Sequence, residues 1–142
     1  MRRLSGSVGL VLSLALGAAG CDNNITTNTT PTGPTETVTE SYAGSITPNG
    51  AVSYFFGSTA AGTMTATILT LSPDSTLSLG LSIGTWNGVG CQSVISNERA
   101  SQGTTITGNV SGAGTLCVRI FDALGTIPAD PKVTFELVVV HP

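Results

Sequence analysis

One stretch of the sequence has the spacing of a catalytic motif. Gly80-Leu81-Ser82-Ile83-Gly84 fits G-x-S-x-G, the pattern of a nucleophile elbow, in which the serine lies on a tight turn between a strand and a helix, with an acid and a histidine downstream. Ser82 instead lies within an alternating apolar run, where we expect it to face outward, and no helical pattern follows it. The only histidine, His141, is second-last in the sequence, where we expect it to be poorly held as a base. We therefore predict no catalytic residues and no enzyme activity.

Oxygen-bearing side chains on the predicted loops are the candidates for a metal site. Asn97, Glu98, Asp122 and Asp130 could supply ligands to calcium, which prefers carboxylate and carbonyl oxygens. The sequence has no D-x-D-x-D spacing, and aspartate at the end of a strand commonly caps a turn. We therefore expect no metal and no cofactor.

Trp86 and Asn87 are the candidate ligand contacts. Trp86 is the only tryptophan, and it lies at a predicted strand end. Its ring could form a platform for a sugar, or it could cover the open end of the fold with its N–H on a carbonyl oxygen. A sugar platform usually combines two or three aromatic rings, so the single tryptophan favours the covering role.

The beginning of the chain has the three parts of a secretory signal peptide. Residues 1–20 contain a basic start, an apolar run from Leu4 to Leu16 and small residues up to Gly20. Ala18-Ala19-Gly20-Cys21 resembles the bacterial lipobox, which implies lipidation at Cys21 and anchoring in the cell envelope, in either the inner or the outer membrane. The alternative is a secreted protein whose signal peptide is cleaved nearby, with Cys21 left as an unmodified thiol that has no role.

The two remaining cysteines form an even pair in an exported chain. Such a pair predicts one disulfide, between Cys91 and Cys117, since structural disulfides persist outside the cytoplasm; the alternative is two free buried thiols. The polar segment between them, Ser96–Gly103, is expected to be a mobile surface loop.

Charge and composition limit the partners. The formal net charge is −3, which leaves no basic footprint for nucleic acid. Residues 21–37 are rich in threonine, asparagine and proline, and such a segment is expected to be a disordered tether. The expected partners are a membrane, through the N-terminal lipid, and a protein or carbohydrate ligand.

Alternating apolar residues dominate the folded domain, residues 38–142. Leu77, Leu79, Leu81 and Ile83 are spaced by two, as in a strand with one buried face. Upstream, the apolar phase of a second alternating run over residues 63–71 slips by one position to Leu69 and Leu71, as a β-bulge would cause, so these two leucines are expected to point inward. A Pro-Asp turn separates the two runs, which predicts that they form a hairpin.

Turn residues divide the domain into eight short strands. This pattern predicts an all-β fold, an antiparallel sandwich with jelly-roll-like connections, after the signal helix and tether. The predicted strands are Val38–Ile46, Val52–Phe56, Thr63–Leu71, Leu77–Ile83, Cys91–Ile95, Thr104–Val110, Leu116–Phe121 and Val133–Val140.

Three stretches carry a resemblance to a known family. Gly44–Phe56, Ala61–Leu69 and Cys117–Asp122 resemble strands of the bacterial pre-peptidase C-terminal domain. The resemblance implies a β-sandwich that accompanies secreted peptidases or stands alone in envelope proteins. The expected function is a non-enzymatic envelope lipoprotein that acts as a binding module; the alternative is an accessory domain of a secreted peptidase or other hydrolase.

Overall fold

The computed structural model describes Gly33 and residues 36–142 of the chain. The predicted signal peptide, Cys21 and most of the predicted tether lie outside the described residues. In the described part, no helix is long and apolar enough to cross a membrane. The strands are β1 (Val38–Ile46), β2 (Ala51–Ser58), β3 (Gly62–Ser72), β4 (Leu79–Trp86), β5 (Cys91–Ala100), β6 (Thr105–Val110), β7 (Gly114–Phe121) and β8 (Val133–His141).

The eight strands form two four-stranded antiparallel sheets that pack as a sandwich. The first sheet has the strand order β1-β8-β3-β6 and the second has the order β2-β7-β4-β5. Consecutive strands alternate between the sheets except for β4 and β5, which is the strand order of a jelly roll. The predicted all-β sandwich is confirmed.

The predicted hairpin between β3 and β4 is wrong. β3 pairs with β6 and β8 in the first sheet, whereas β4 pairs with β5 and β7 in the second. The intervening turn therefore crosses between sheets, and Asp74 stabilises it by accepting hydrogen bonds from the Thr76 amide (2.8 Å) and hydroxyl (2.7 Å). An alternating pattern specifies which face of a strand is buried, but it does not specify the strand's partner.

The predicted inward face of β4 is confirmed. Leu79, Leu81 and Ile83 are buried between the sheets, and Leu77, just before the strand, packs against them. Side chains from both sheets interdigitate in this single core, which is the expected packing of two sheets that each have one apolar face.

The bulge in β3 lies where the sequence predicts it. The register with β8 shifts between Ile68 and Thr70. Leu69 is the bulged residue and is 51% exposed, while Leu71 is buried. The expectation that Leu69 points inward is therefore wrong. The extra residue of a bulge has no partner on the neighbouring strand, and the inward–outward alternation resumes only after it.

Ser96–Gly103 is not the predicted loop, because β5 continues to Ala100. Ala100 pairs with Leu79 at the beginning of β4, and Asn97 and Glu98 are strand residues. Polar side chains are well accommodated here because β5 is an edge strand, where they discourage pairing with other chains.

Candidate functional site

The face of the second sheet that is turned away from the core, here called the outer face, holds three of the residues singled out in the sequence, Trp86, Cys91 and Cys117. On β7, Leu116, Val118 and Ile120 point into the core. Because side chains alternate along a strand, Cys117 and the residues in phase with it lie on the outer face. Their neighbours on β2, β4 and β5 complete this surface.

The predicted disulfide between Cys91 and Cys117 is confirmed, with a Cα–Cα distance of 5.7 Å. The half-cystines lie on β5 and β7, which flank β4, so the bond crosses over β4. Gly84 lies at the crossing, between Cys117 on one side and Ser93 on the other. A Cβ atom at Gly84 would overlap the backbone carbonyl of Gln92, so only glycine allows β5 to approach β4 this closely.

Two stacked aromatic rings, here called the aromatic pair, flank the disulfide on the outer face. The rings of Phe55 and Trp86 have centroids 5.0 Å apart and planes inclined by 22°. Phe55 lies opposite Cys117 in the β2–β7 register, and Trp86 lies opposite Cys91 in the β4–β5 register. Trp86 therefore stacks on Phe55 and does not cover the open end of the sandwich. Phe55 is 61% exposed.

Phe55 is the site residue that the sequence reasoning missed. A signal for it exists in Tyr54-Phe55-Phe56, three consecutive aromatic residues within one strand. Since neighbouring side chains in a strand point to opposite faces, such a run places at least one aromatic ring on the outside. Phe56 is buried in the core, which fixes Phe55 as the outward one.

Asn87 shapes the turn that follows Trp86. Its side-chain oxygen accepts hydrogen bonds from the amides of Val89 (2.9 Å) and Gly90 (2.8 Å). Asn87 is exposed beside the aromatic pair, and with its oxygen used in the turn, its amide nitrogen is the group it can offer to a ligand. Val89 is 90% exposed on the same turn.

The charged residue of β7, Arg119, is turned away from the aromatic pair. Its guanidinium lies 5.0 Å from the centroid of the Phe121 ring, a cation–π contact. Phe121 in turn covers Gly80, where a Cβ atom would overlap the ring. The cation is thus held toward the end of the outer face that is remote from Phe55.

The structure explains G-x-S-x-G without a nucleophile elbow. Ser82 is 0% exposed, contrary to the expected solvent-facing position. Its hydroxyl lies 2.9 Å from that of Ser93 on β5. The Phe121 ring lies over Gly80, and the β5 backbone at Gln92 lies over Gly84. Only glycine leaves room for these groups at positions 80 and 84, so close packing accounts for the two glycines of the motif.

His141 is rigidly held, contrary to expectation, because β8 extends to it. The ring is buried against Phe56, with centroids 4.6 Å apart. Its Nε2 lies 3.4 Å from a carboxylate oxygen of Glu40, and the other carboxylate oxygen accepts a hydrogen bond from Tyr42. Burial, followed by the hydrogen bond and the charge of Glu40, raises the pKa of the Tyr42 phenol, so it stays protonated. Ser82 is on the other sheet and takes no part in this cluster.

Asp122 caps a turn, as the sequence suggests for aspartate at a strand end. Burial acts to raise the pKa of its carboxyl group, but hydrogen bonds from the backbone amides of Asn49, Thr126, Ile127 and Gly125 outweigh this, and the pKa is lowered. These bonds join the β1–β2 turn to the segment after β7. Across residues 36–142, no group of three His, Cys, Asp or Glu side chains is arranged to hold a metal ion.

The Asp122 cap predicts a pH-dependent stability. The pKa of the Asp122 carboxyl in the folded protein lies below its unfolded value of about 3.9. The carboxylate therefore contributes its full stabilisation above about pH 3.9, and this stabilisation is lost as the pH falls through the folded-state pKa. Asp122→Asn should therefore be less stable than the wild type at pH 7, with the difference shrinking below about pH 4. Urea unfolding between pH 2.5 and pH 7 measures this. Asp130→Asn, an exposed control, should leave stability at pH 7 unchanged; equal effects of the two substitutions would contradict the cap.

An apolar cleft lies where the edges of the two sheets approach each other, between β5 and β6. Its volume is about 70 Å³, and Met64, Ile83 and Ile95 line it. A cavity of about 150 Å³ is needed to hold a molecule the size of benzene. The cleft is thus too small for such a ligand. A larger open hollow of about 190 Å³ lies on the first sheet, lined by residues of β1, β3 and β8 that include Tyr42 and Leu69.

The comparisons with known proteins leave the site to be argued from its geometry. No family model and no curated protein matches the chain. The Cys91–Cys117 bond indicates an extracytoplasmic domain, since such bonds persist in oxidising compartments. The described residues therefore form an extracytoplasmic β-sandwich whose disulfide-bonded outer face carries the aromatic pair, with Phe55 exposed and Trp86 half-buried.

Proposed function

We propose that this chain is an exported, lipid-anchored binding module without enzymatic activity, and that its ligand seats on the aromatic pair. The observation that carries the proposal is the stack of an exposed Phe55 on a half-buried Trp86. Keeping apolar surface in water costs about 25 cal/mol per Å², and clustered exposed apolar surface typically marks an interaction site.

The surroundings of the aromatic pair support binding because they hold it rigidly. Each ring has only two side-chain torsions, and the rings restrict each other by stacking. The half-cystines opposite them are joined by the disulfide, which restrains the strands beneath. A pre-organised surface loses little conformational entropy on binding, so a larger share of the contact energy becomes affinity.

The anchor is supported by the signal-peptide pattern of residues 1–20 and by the lipobox-like position of Cys21. A single acyl chain gives only reversible membrane binding, whereas two or more anchor firmly. A lipidated Cys21 followed by a polar tether would hold the sandwich near a membrane surface, with its outer face accessible.

The anchor predicts the behaviour of a Cys21→Ser variant. Without the thiol, the chain cannot be lipidated, so we expect it to partition into the aqueous phase during detergent phase separation, whereas the wild type enters the detergent phase. Immunoblotting of the two phases measures this. A variant that follows the wild type into the detergent phase would show that the anchor is not at Cys21.

The binding role is tested by comparing the wild type with a Phe55→Ala/Trp86→Ala double variant. Both proteins are immobilised and exposed to envelope and culture-supernatant fractions that contain polysaccharide and protein. We expect at least one component to be retained by the wild type and lost from the double variant. Leu124→Ala, at an exposed leucine on the β7–β8 connection, is the control and should retain it. Identical retention by all three proteins would argue against the aromatic pair as the binding surface.

A further inference from the structure

We propose that the ligand of the aromatic pair is a neutral carbohydrate, with one pyranose ring stacked on the free face of Phe55. This inference rests on the proposed binding function and names the class of its ligand. Four features of the outer face support it: the exposed ring face, the open space beside that face, the uncharged polar groups around it and the size of the apolar surface.

Phe55 presents one ring face to solvent. Trp86 covers the other face by stacking, and β2 is an edge strand, so no further strand of the second sheet lies beyond Phe55. A pyranose with equatorial hydroxyls has C–H groups on its two faces. The negative face of an aromatic ring attracts such C–H groups, and the contact also removes apolar area from water.

Open space adjoins the ring at Gly57. Gly57 lies two residues after Phe55, so it belongs to the same outer face. A Cβ atom built at Gly57 meets no atom within 4 Å. A flat ligand on Phe55 can therefore extend over the β2 backbone at this position, where any larger side chain would stand in its way.

The groups around the aromatic pair suit hydroxyl-bearing, uncharged molecules. Ser53 precedes Phe55 on the same face, and Thr115 lies opposite Gly57 in the β2–β7 register. Their hydroxyls can donate and accept hydrogen bonds. The residues opposite Phe55 and Gly57 are uncharged, and Arg119 is engaged with the Phe121 ring. Arg119, opposite Ser53, is the charged residue of β7 that faces this stretch of β2, and its guanidinium already lies over Phe121, so an ionic ligand would meet a single cation that is engaged elsewhere.

The apolar surface is small for a protein partner. Two aromatic side chains bury about 300–500 Å² between them, and the stacking of Phe55 on Trp86 already removes part of that area. A stable protein interface buries about 800 Å² on each partner. One sugar ring covers the face of one aromatic ring, which Phe55 supplies, and Trp86 is the second ring of the platform, stacked behind Phe55.

The test titrates the purified full chain with three neutral β-1,4-linked oligosaccharides, cellohexaose, xylohexaose and chitohexaose. Trp86 is the only tryptophan, so its fluorescence reports directly on the aromatic pair. We expect a saturable change with at least one of the three, with a Kd of about 1 mM or below, as suits a small site. Phe55→Leu, which keeps an apolar side chain but removes the ring, should weaken binding at least about tenfold, because the stacking surface is lost.

Two further variants make the outcome specific. Gly57→Val should fold normally, since its side chain meets open space and valine suits a strand, but it should also weaken binding about tenfold or more by filling that space. Leu124→Ala should bind as the wild type does. Equal urea midpoints for wild type, Phe55→Leu and Gly57→Val separate loss of the site from loss of the fold.

Three results would overturn the carbohydrate assignment. The first is no saturable fluorescence change with any of the oligosaccharides, and the second is binding that Phe55→Leu and Gly57→Val leave intact. The third is saturable binding of a proline-rich peptide at Phe55 with no response to the oligosaccharides. This last result would leave the proposed binding function standing. That function fails separately, if the Phe55→Ala/Trp86→Ala variant retains the same envelope components as the wild type.

Discussion

Leu79→Ala is expected to lower the free energy of unfolding by about 2–5 kcal/mol, the range for truncating a fully buried leucine. Leu79 is completely buried at the beginning of β4, and its backbone pairs with Ala100 at the end of β5. The alanine would lose the transfer free energy of three carbon atoms and leave a cavity that two packed sheets cannot readily close.

The matched control for this substitution is Leu124→Ala. Leu124 is 44% exposed, so its truncation should change the free energy of unfolding by no more than about 0.5 kcal/mol. Urea denaturation followed by Trp86 fluorescence measures both variants on the same scale. Equal effects of the two substitutions would mean that the alternation of β4 does not mark the core.

The core-facing residues could be predicted because a strand that buries one face carries apolar residues at every second position. Met64, Ala66 and Ile68 on β3 are apolar at every second position, and all three are buried. Burying one face of a strand requires this spacing. The same reasoning located the bulge after Ile68, although it assigned Leu69 to the wrong face, because the pattern shows where the phase changes and not which residue is left over.

Strand pairing could not be predicted, because it depends on contacts distant in the sequence. β3 and β4 are separated by a Pro-Asp turn that suits a hairpin, yet β3 pairs with β6 and β8 in the first sheet and β4 pairs with β5 and β7 in the second. The end of β5 was missed for a related reason. The polar residues Asn97 and Glu98 are typical of a loop. The strand continues through them because Asn97 pairs with Leu81 on β4, while the side chain of Glu98 stays exposed.

The candidate site was only half predictable. Trp86 stands out because it is unique in the chain, and Cys91 and Cys117 pair by elimination in an exported domain. The stack on Phe55 depends on the β2–β7–β4 arrangement, which brings residues 31 positions apart in sequence to a centroid distance of 5.0 Å. Similarly, the Ser82–Ser93 hydrogen bond exists because Gly84 lets β5 approach β4, and no local pattern indicates it.

Removal of the disulfide by Cys91→Ala/Cys117→Ala is expected to lower the free energy of unfolding by about 3.5 kcal/mol. The half-cystines are 26 residues apart, and the figure is the chain-entropy estimate for a loop of that length. The bond ties edge strand β5 across β4 to β7. Without it, the segment from residue 91 to residue 117 should loosen first, since β5 and β6 are both edge strands, while the central strands stay paired.

The same substitution should alter the aromatic pair, because Phe55 and Trp86 lie opposite the two half-cystines. We expect the Trp86 emission of the folded double variant to shift to the red as water reaches the indole. Hydrogen exchange should be faster on β5 and β6 than in the wild type, with little change on β3, β7 and β8. Gln92→Ala is the control: it truncates an exposed side chain on β5 and should change the free energy of unfolding by no more than about 0.5 kcal/mol. Uniformly faster exchange across both sheets, or a loss below about 1 kcal/mol for the double variant, would show that strand pairing alone holds the outer face together.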